Sequence, residues 1–298
     1  MNNIVTSMVA VTVAFGVWSG IGLIDPNHAA AEVFPVAQDA LAAVATGLSR
    51  PDVSPPGSNR PDCRSSAHPN PVVLVHGTAL NQNANWQAVA PMLANNGYCV
   101  FSVTVGRTPY SGGSGDVDSM YNSADQLAVF VDQVLGWTGA QQVDLIGHSQ
   151  GGAIQRIYVE RHPSKVHRVV GLAAANSGVT TSSGLKPLLD ALPPLRAIVF
   201  AGCPACAELN NPSTYRPIVP DVLYHNIIGV TDEIITPYTV GFLPPAANVV
   251  NQTVQSVCPN DNVGHIGIVY DPAVIQMTMN ALDPEHPEPV NCAVGLPV

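Results

Sequence analysis

Charged side chains are scarce in this chain. Asp, Glu, Lys and Arg make up 11% of its 298 residues, against roughly a quarter in an average soluble protein. The basic residues are scarcest, with 11 Lys and Arg against 21 Asp and Glu and a formal net charge of -10. Because nucleic acids are bound by clustered basic side chains, we expect no nucleic-acid partner. Hydrophobic residues reach 46%, which indicates a folded core rather than disorder.

Spacings that bind metals are also missing. The sequence has no His-Glu-x-x-His motif, and its one Cys-x-x-Cys pair, Cys203 and Cys206, stands without a second pair. We therefore expect neither a metal nor a cofactor.

No charged side chain precedes Asp25, and residues 4–24 are almost entirely apolar or small. Small residues follow near position 30, as before a signal-peptidase site. We predict a cleaved signal peptide over residues 1–31 and a secreted protein, although the usual Lys or Arg before the apolar run is missing. An uncleaved membrane anchor is the alternative, because about 20 apolar residues can span a bilayer.

Six cysteines in a chain with an export signal favour disulfides. Cys203 and Cys206 could instead form a redox pair, but no thioredoxin-like context surrounds them. Other connectivities are possible. Order along the chain gives the simplest pairing, which is Cys63–Cys99, Cys203–Cys206 and Cys258–Cys292.

Short apolar runs alternate with helical patterns from residue 71 onward. This alternation predicts a mostly parallel central sheet with helices on both faces, in one α/β domain over residues 63–298. Pro-rich residues 32–62 are expected to form an N-terminal extension, with extended backbone up to residue 70. Strands are predicted at 71–77, 99–105, 143–147, 169–174, 224–230 and 248–257, and helices at 83–96, 119–137, 150–162 and 272–282.

The segment 147–151 reads Gly-His-Ser-Gln-Gly and matches the Gly-x-Ser-x-Gly pattern of a nucleophile elbow. The pattern alone is common. Here a buried strand ends and a helix begins at the serine, which is the position that the elbow requires. We therefore predict that Ser149 is the catalytic nucleophile of a single α/β-hydrolase domain.

A serine hydroxyl needs a base, and the base needs a third group that orients it. In this fold the partners follow in the order serine, acid, histidine. Asp232 comes just after a predicted strand, with Glu233 as its adjacent rival, and His265 lies in a glycine-flanked loop after the last strand. These positions predict Asp232 as the acid and His265 as the base, while His76 is expected to shape the loop after the first strand.

An oxyanion hole completes such a site. One donor in this fold is the backbone N–H after the nucleophile, here that of Gln150. The second comes from the loop after the first buried strand, where Thr78 could donate through its backbone and also its hydroxyl.

Together these motifs resemble the secreted bacterial lipases of the class 2 lipase family. The similar stretches are 76–78 with 85–86, 147–152, 203–206, 232–238 and 264–265, and the resemblance covers roughly residues 60–292. It implies hydrolysis of carboxylic esters, usually acyl glycerols, through an acyl-enzyme. It also favours Asp232 over Glu233 as the catalytic acid.

Other functions stay open at this point. A cutinase-like polyesterase or a short-chain carboxylesterase would differ in acyl chain-length preference, and a haloperoxidase would share the triad. A catalytically inactive binding protein could use the same fold, but such relatives usually lack a triad member. We expect a monomer that acts on a small-molecule or lipid ester, also at a lipid–water interface. Leucines 185, 188, 189, 192 and 195 suggest either a mobile lid or a packed cap.

Overall fold

A parallel sheet forms the centre of the molecule. The computed structural model describes residues 32–179, 203–211, 213 and 215–292. In that part six strands are hydrogen-bonded in the order β2-β1-β3-β4-β5-β6, and every neighbouring pair is parallel. The strands are β1 (Val72–Val75), β2 (Val100–Val103), β3 (Val143–His148), β4 (Val166–Leu172), β5 (Leu223–Ile228) and β6 (Val249–Thr253).

Helices follow most of these strands along the chain, as βαβ units require. The parallel sheet with helices confirms the predicted single α/β-hydrolase domain, and the described residues from Val33 onward belong to one compact unit. The helices are α1 (Ala40–Ser49), α2 (Gln82–Trp86), α3 (Val89–Asn95), α4 (Met120–Thr138), α5 (Gln150–Arg161), α6 (Pro204–Leu209) and α7 (Pro272–Leu282). Single 3-10 turns lie at Pro163–Lys165, Tyr238–Gly241, Val254–Ser256 and Gly267–Val269.

The central strands are apolar because layers cover both of their faces. All four residues of β1 are fully buried, and all six of β3 are buried as well. Val75 at the end of β1 pairs with Gly147 of β3, which in turn pairs with Gly171 of β4. The segments that follow these three strands therefore start from the same edge of the sheet.

The expectation of extended backbone before residue 70 is wrong at α1. Asp39 caps this helix by accepting a hydrogen bond from the Ala42 N–H, at 2.9 Å. The helix buries Val44 completely, and a Cβ on Gly47 would lie 2.3 Å from the Ala84 backbone, so α1 lies directly on α2. The prolines that suggested an irregular segment follow the helix and do not interrupt it.

The single helix predicted over 83–96 is instead two helices, α2 and α3. Pro91 explains the break: in a continuous helix its ring would collide with the Gln87 carbonyl and its nitrogen could not donate to that oxygen. The Gln87 carbonyl turns outward and accepts the Ala37 N–H at 3.0 Å. Pro91 itself lies in the first turn of α3, where it is tolerated.

All six cysteines are paired in disulfides, in the order expected along the chain: Cys63–Cys99, Cys203–Cys206 and Cys258–Cys292. Among the helices of the described residues, none combines the length and apolarity needed to cross a bilayer. The predicted signal peptide at 1–31 and the leucine-rich segment at 185–195 lie outside the described residues.

Candidate active site

Ser149 occupies a sharp turn between β3 and α5. Its backbone has φ 54° and ψ -123°, a region that non-glycine residues rarely adopt. Two neighbouring glycines make the turn possible. A Cβ on Gly151 would lie 2.2 Å from the Val75 carbonyl oxygen, and one on Gly147 would lie 2.7 Å from the Gly151 backbone. The turn therefore depends on direct contact between backbones, which any larger residue would prevent.

The structure brings Ser149, His265 and Asp232 into one hydrogen-bonded row. His265 Nδ1 donates to Asp232 Oδ2 at 2.8 Å, and the Ser149 hydroxyl lies 2.8 Å from His265 Nε2. With its proton on Nδ1, the neutral imidazole presents a lone pair at Nε2 to the hydroxyl. All three side chains are buried, so water hardly competes for these bonds.

Asp232 is fixed on both of its oxygens. While Oδ2 accepts from the His265 ring, Oδ1 accepts the backbone N–H groups of Ile234 at 2.9 Å and Ile235 at 2.7 Å. Burial alone would raise the pKa of Asp232, but the nearby His265 and the backbone donors outweigh it and lower this pKa. The carboxylate is therefore held in its ionised form.

The same interactions act on His265 with the opposite sign. Burial would lower the pKa of this histidine, whereas the charge and hydrogen bond of Asp232 and the charge of Glu233 raise it above 6.5. The neighbouring His148 also faces the ring, with centroids 5.0 Å apart. His265 is thus a stronger base than a free histidine.

Thr78 and Gln150 meet beside the serine. The Thr78 hydroxyl donates to Gln150 Oε1 at 2.6 Å, and Gln150 Nε2 donates to the Asp116 carbonyl at 2.9 Å. Since the Thr78 hydroxyl proton is used in this bond, its backbone N–H is the group left for an oxyanion. The N–H of Gln150 begins α5 and has no carbonyl partner inside the helix.

Two buried titratable groups support the loop that carries Thr78. His76 Nδ1 donates to the Gly77 carbonyl at 2.9 Å, and its Nε2 accepts the Val105 N–H at 3.2 Å. Burial lowers the pKa of His76 to about 4, so the ring is neutral. Asp116 lies 3.3 Å from the same ring, and burial raises its pKa well above the ordinary value. Asp116 was absent from the sequence prediction, because nothing in a glycine-rich loop marks one acid as buried.

Glu233, the rival acid, contacts His265 at a different place. Its Oε2 accepts the His265 backbone N–H at 3.0 Å, whereas the ring of His265 pairs with Asp232. In the part of the chain that the structure describes, no three His, Cys, Asp or Glu side chains are arranged to hold a metal ion. The site thus combines a hydroxyl, a ring that can accept its proton and a carboxylate that orients the ring, which is a set suited to nucleophilic chemistry.

The family model of palmitoyl protein thioesterases matches residues 71–227, more than half of the chain. The chain belongs to the palmitoyl protein thioesterase family. The matched range includes Thr78, Ser149 and Gln150 and ends shortly before Asp232. Asp232 and His265 thus follow the range that the thioesterase model matches.

Curated relatives match over a shorter stretch. A pyrethroid hydrolase of Sphingobium wenxiniae is 35% identical over 123 residues, which cover 41% of this chain and 40% of the relative. A triacylglycerol lipase of Pseudarthrobacter phenanthrenivorans is 33% identical over 128 residues, which cover 41% of this chain and 38% of the relative. The chain therefore spans about two fifths of the length of these relatives.

Solved structures with a similar fold cover more of the chain. Lipase B of Aspergillus fumigatus superposes with a TM-score of 0.56 over 90% of this chain and 62% of that one, at 19% identity. A carboxylesterase of Bacillus subtilis reaches a TM-score of 0.51 over 82% and 97%, at 15% identity. At these identities the likeness shows the α/β-hydrolase fold.

Proposed function

We propose that this protein hydrolyses carboxylic esters through an acyl-enzyme on Ser149. The observation that carries the proposal is the unbroken row from the Ser149 hydroxyl through His265 to Asp232. A serine hydroxyl is a poor nucleophile unless a base is within hydrogen-bonding reach and a third group fixes that base. Both conditions are met at 2.8 Å. An inactive binding protein would have no need for this geometry.

Each residue then has one role. Ser149 Oγ attacks the ester carbonyl carbon while its proton moves to His265 Nε2, and Asp232 stabilises the imidazolium that forms. The tetrahedral intermediate breaks its bond to the leaving alcohol, which takes the proton from His265. Water then attacks the acyl-enzyme, with His265 again as base, and releases the carboxylic acid and free Ser149.

The negative oxygen of the intermediate faces the backbone N–H groups of Gln150 and Thr78. Each such donor contributes about 3 kcal/mol to the stability of the transition state. The Gln150 N–H lies at the amino end of α5, where the helix dipole also favours negative charge.

As substrate we propose acyl glycerols, with the chain as a secreted lipase of the class 2 type. The resemblance in the triad and oxyanion motifs supports this, as do relatives named triacylglycerol lipases. The name of the family supports a second candidate, a palmitoyl thioester. Short-chain carboxylesterase and cutinase-like activity would use the same chemistry on other acyl or polymer substrates.

Export belongs to the same proposal. Residues 1–31 would be the signal peptide and 63–298 the α/β-hydrolase domain of a monomer. The segment 32–62 would precede that domain and pack on it through α1. Three disulfides support an oxidising compartment, because such bonds are rare in reducing cytosol.

A substrate panel tests the proposal. Wild type and Ser149→Ala are compared on p-nitrophenyl esters from acetate to palmitate, emulsified triolein and a palmitoyl thioester. Ser164→Ala is the matched control, since Ser164 is exposed in the turn before β4. Turnover of triolein that is lost only in Ser149→Ala supports a lipase. Turnover of short esters alone, or of the thioester alone, supports the corresponding alternative. Activity that survives in Ser149→Ala contradicts the proposal.

A further inference from the structure

The backbone of His265 is held by two side chains that the catalytic cycle does not use. Glu233 Oε2 accepts the His265 N–H at 3.0 Å, and His148 Nε2 lies 3.0 Å from the His265 carbonyl oxygen. The C=O of His265 is therefore held from the last residue of β3, and its N–H from the segment that follows β5. We name His148 and Glu233, with the His265 peptide groups between them, the histidine clamp.

The clamp has a simple relation to the triad along the chain. His148 directly precedes Ser149 at the end of β3, and Glu233 directly follows Asp232 after β5. At each of these two strand ends, one residue contacts the ring of His265 and its chain neighbour contacts the backbone of His265. A shift of His265 away from His148 and Ser149, or away from Asp232 and Glu233, would therefore disturb a ring contact and a backbone contact together.

His265 needs this support because its own segment is irregular. It follows β6 without being part of a strand, between Gly264 and the 3-10 turn Gly267–Val269. Glycine permits many backbone conformations. An error of about 1 Å in the position of a catalytic group can lower a rate by about 100-fold.

His148 can act as the donor that the clamp requires. Both of its ring nitrogens face an oxygen, that of the His265 carbonyl at Nε2 and that of the Asn85 amide at Nδ1, and the clamp requires the ring proton on Nε2. Burial, with the nearby His265, lowers the pKa of His148 to about 3, so the ring is neutral and carries one proton. Its Nδ1 lies 2.9 Å from the side-chain amide oxygen of Asn85. Rotation of that amide would bring its NH2, which has no partner among the described residues, onto Nδ1 in exchange for the bond to the Gly77 N–H.

We propose that His148 and Glu233 are positioning residues of the ester hydrolase, which fix the His265 peptide so that its ring stays between Ser149 and Asp232. The inference deepens the proposed function and depends on it. It gives one shared role to His148, the residue before the nucleophile, and to Glu233, the acid next to Asp232.

Matched substitutions separate positioning from ordinary structural support. His148→Gln keeps an N–H donor close to the place of Nε2, whereas His148→Asn keeps one only at the place of Nδ1. Glu233→Gln keeps an oxygen that can accept the His265 N–H, whereas Glu233→Ala keeps none. Glu233 is exposed, so its variants are expected to fold even where a His148 variant does not.

Kinetics are measured well above the acid limb of the pH profile, where His265 is neutral in every variant. We expect kcat to fall about 10- to 100-fold in His148→Asn and Glu233→Ala with KM within about twofold, and to stay within about threefold of wild type in the two Gln variants. Equal losses in the conservative and the disruptive variants, or wild-type kcat in all four, would overturn the proposal.

A second readout does not depend on turnover. Proton NMR of the His265 Nδ1–H, assigned by its loss in Asp232→Asn, reports the ring position directly. We expect this signal to shift or broaden in His148→Asn and Glu233→Ala and to remain in the Gln variants. An unchanged signal in the disruptive variants contradicts the clamp. If the signal changes in the variants as expected but the wild type hydrolyses no ester, only the proposed function is contradicted.

Discussion

Asp232→Asn should abolish activity while leaving the fold intact, for a reason that the hydrogen bonds of this side chain dictate. Oδ1 accepts two backbone N–H groups, from Ile234 and Ile235. An asparagine must keep its carbonyl oxygen there, because an NH2 group in that place would face two donors. Its NH2 is therefore forced toward His265 Nδ1. The imidazole must then carry its proton on Nε2, where it faces the Ser149 hydroxyl as a donor and cannot take its proton.

The expected loss follows from the wrong tautomer together with the lost charge. A loss of about 10⁴-fold in kcat corresponds to about 5.5 kcal/mol of transition-state stabilisation. Asp232→Ala differs in an informative way. It leaves the imidazole free to adopt either tautomer but removes the acceptor of two buried N–H groups, at about 1–3 kcal/mol each. We therefore expect the Ala variant to be the less stable and the Asn variant to be at least as inactive.

The assay is kcat on a p-nitrophenyl ester together with urea denaturation of both variants. Asp221→Asn is the control, because Asp221 is an exposed acid just before β5. Retention of more than about a tenth of wild-type kcat by a folded Asp232→Asn would refute the reasoning, since the enforced tautomer has no base toward Ser149. An Asn variant less stable than the Ala variant would refute the account of Oδ1.

Three further predictions concern the surroundings of the site. The acid limb of kcat/KM should lie above pH 6.5, because the pKa of His265 is raised and only the neutral ring accepts a proton. Glu233→Gln removes one charge that raises this pKa, so its pH profile should show the limb at lower pH. A limb that stays in place contradicts the charge effect. Gly151→Ala should lower the free energy of unfolding by about 3 kcal/mol in urea titrations, because the new methyl carbon would lie 2.2 Å from the Val75 carbonyl oxygen. An unchanged midpoint would contradict this. Because burial raises the pKa of Asp116, the folded state keeps this proton at higher pH than the unfolded state does. The free energy of unfolding therefore falls as pH rises above 3.8, where the unfolded state ionises. Asp116→Asn should therefore gain stability over wild type with rising pH, by up to about 1.4 kcal/mol per pH unit, and denaturation curves with a pH-independent difference would disprove it.

Local patterns were enough to locate the parts of this fold that have a strict geometry. A short apolar run such as Val72–Val75 is typical of a buried strand. A serine with a glycine two residues away on each side, where a strand meets a helix, has few other uses. The end of a strand then limits where an acid such as Asp232 can be placed. The parallel sheet and the candidate residues could be predicted because each follows from neighbours in sequence.

The remaining features depend on contacts between distant segments. The helix α1 was missed because the prolines that follow it suggested loop, and because it packs through Gly47 on Ala84, 37 positions later. The contacts of His148 and Glu233 with His265 join residues 117 and 32 positions apart. No local sequence pattern predicts contacts between residues so far apart in the chain. A histidine inside the Gly-x-Ser-x-Gly pattern was the one available sign that this position has a polar partner.

Covalent labelling of the nucleophile tests the central proposal most directly. A p-nitrophenyl alkylphosphonate reacts with an activated serine and releases p-nitrophenol, and peptide mass spectrometry identifies the modified residue. We predict one p-nitrophenol per chain, modification at Ser149 alone, and loss of labelling in Ser149→Ala. Labelling at another residue, or a folded wild type that does not react at all, would contradict the assignment of this chain as a serine ester hydrolase.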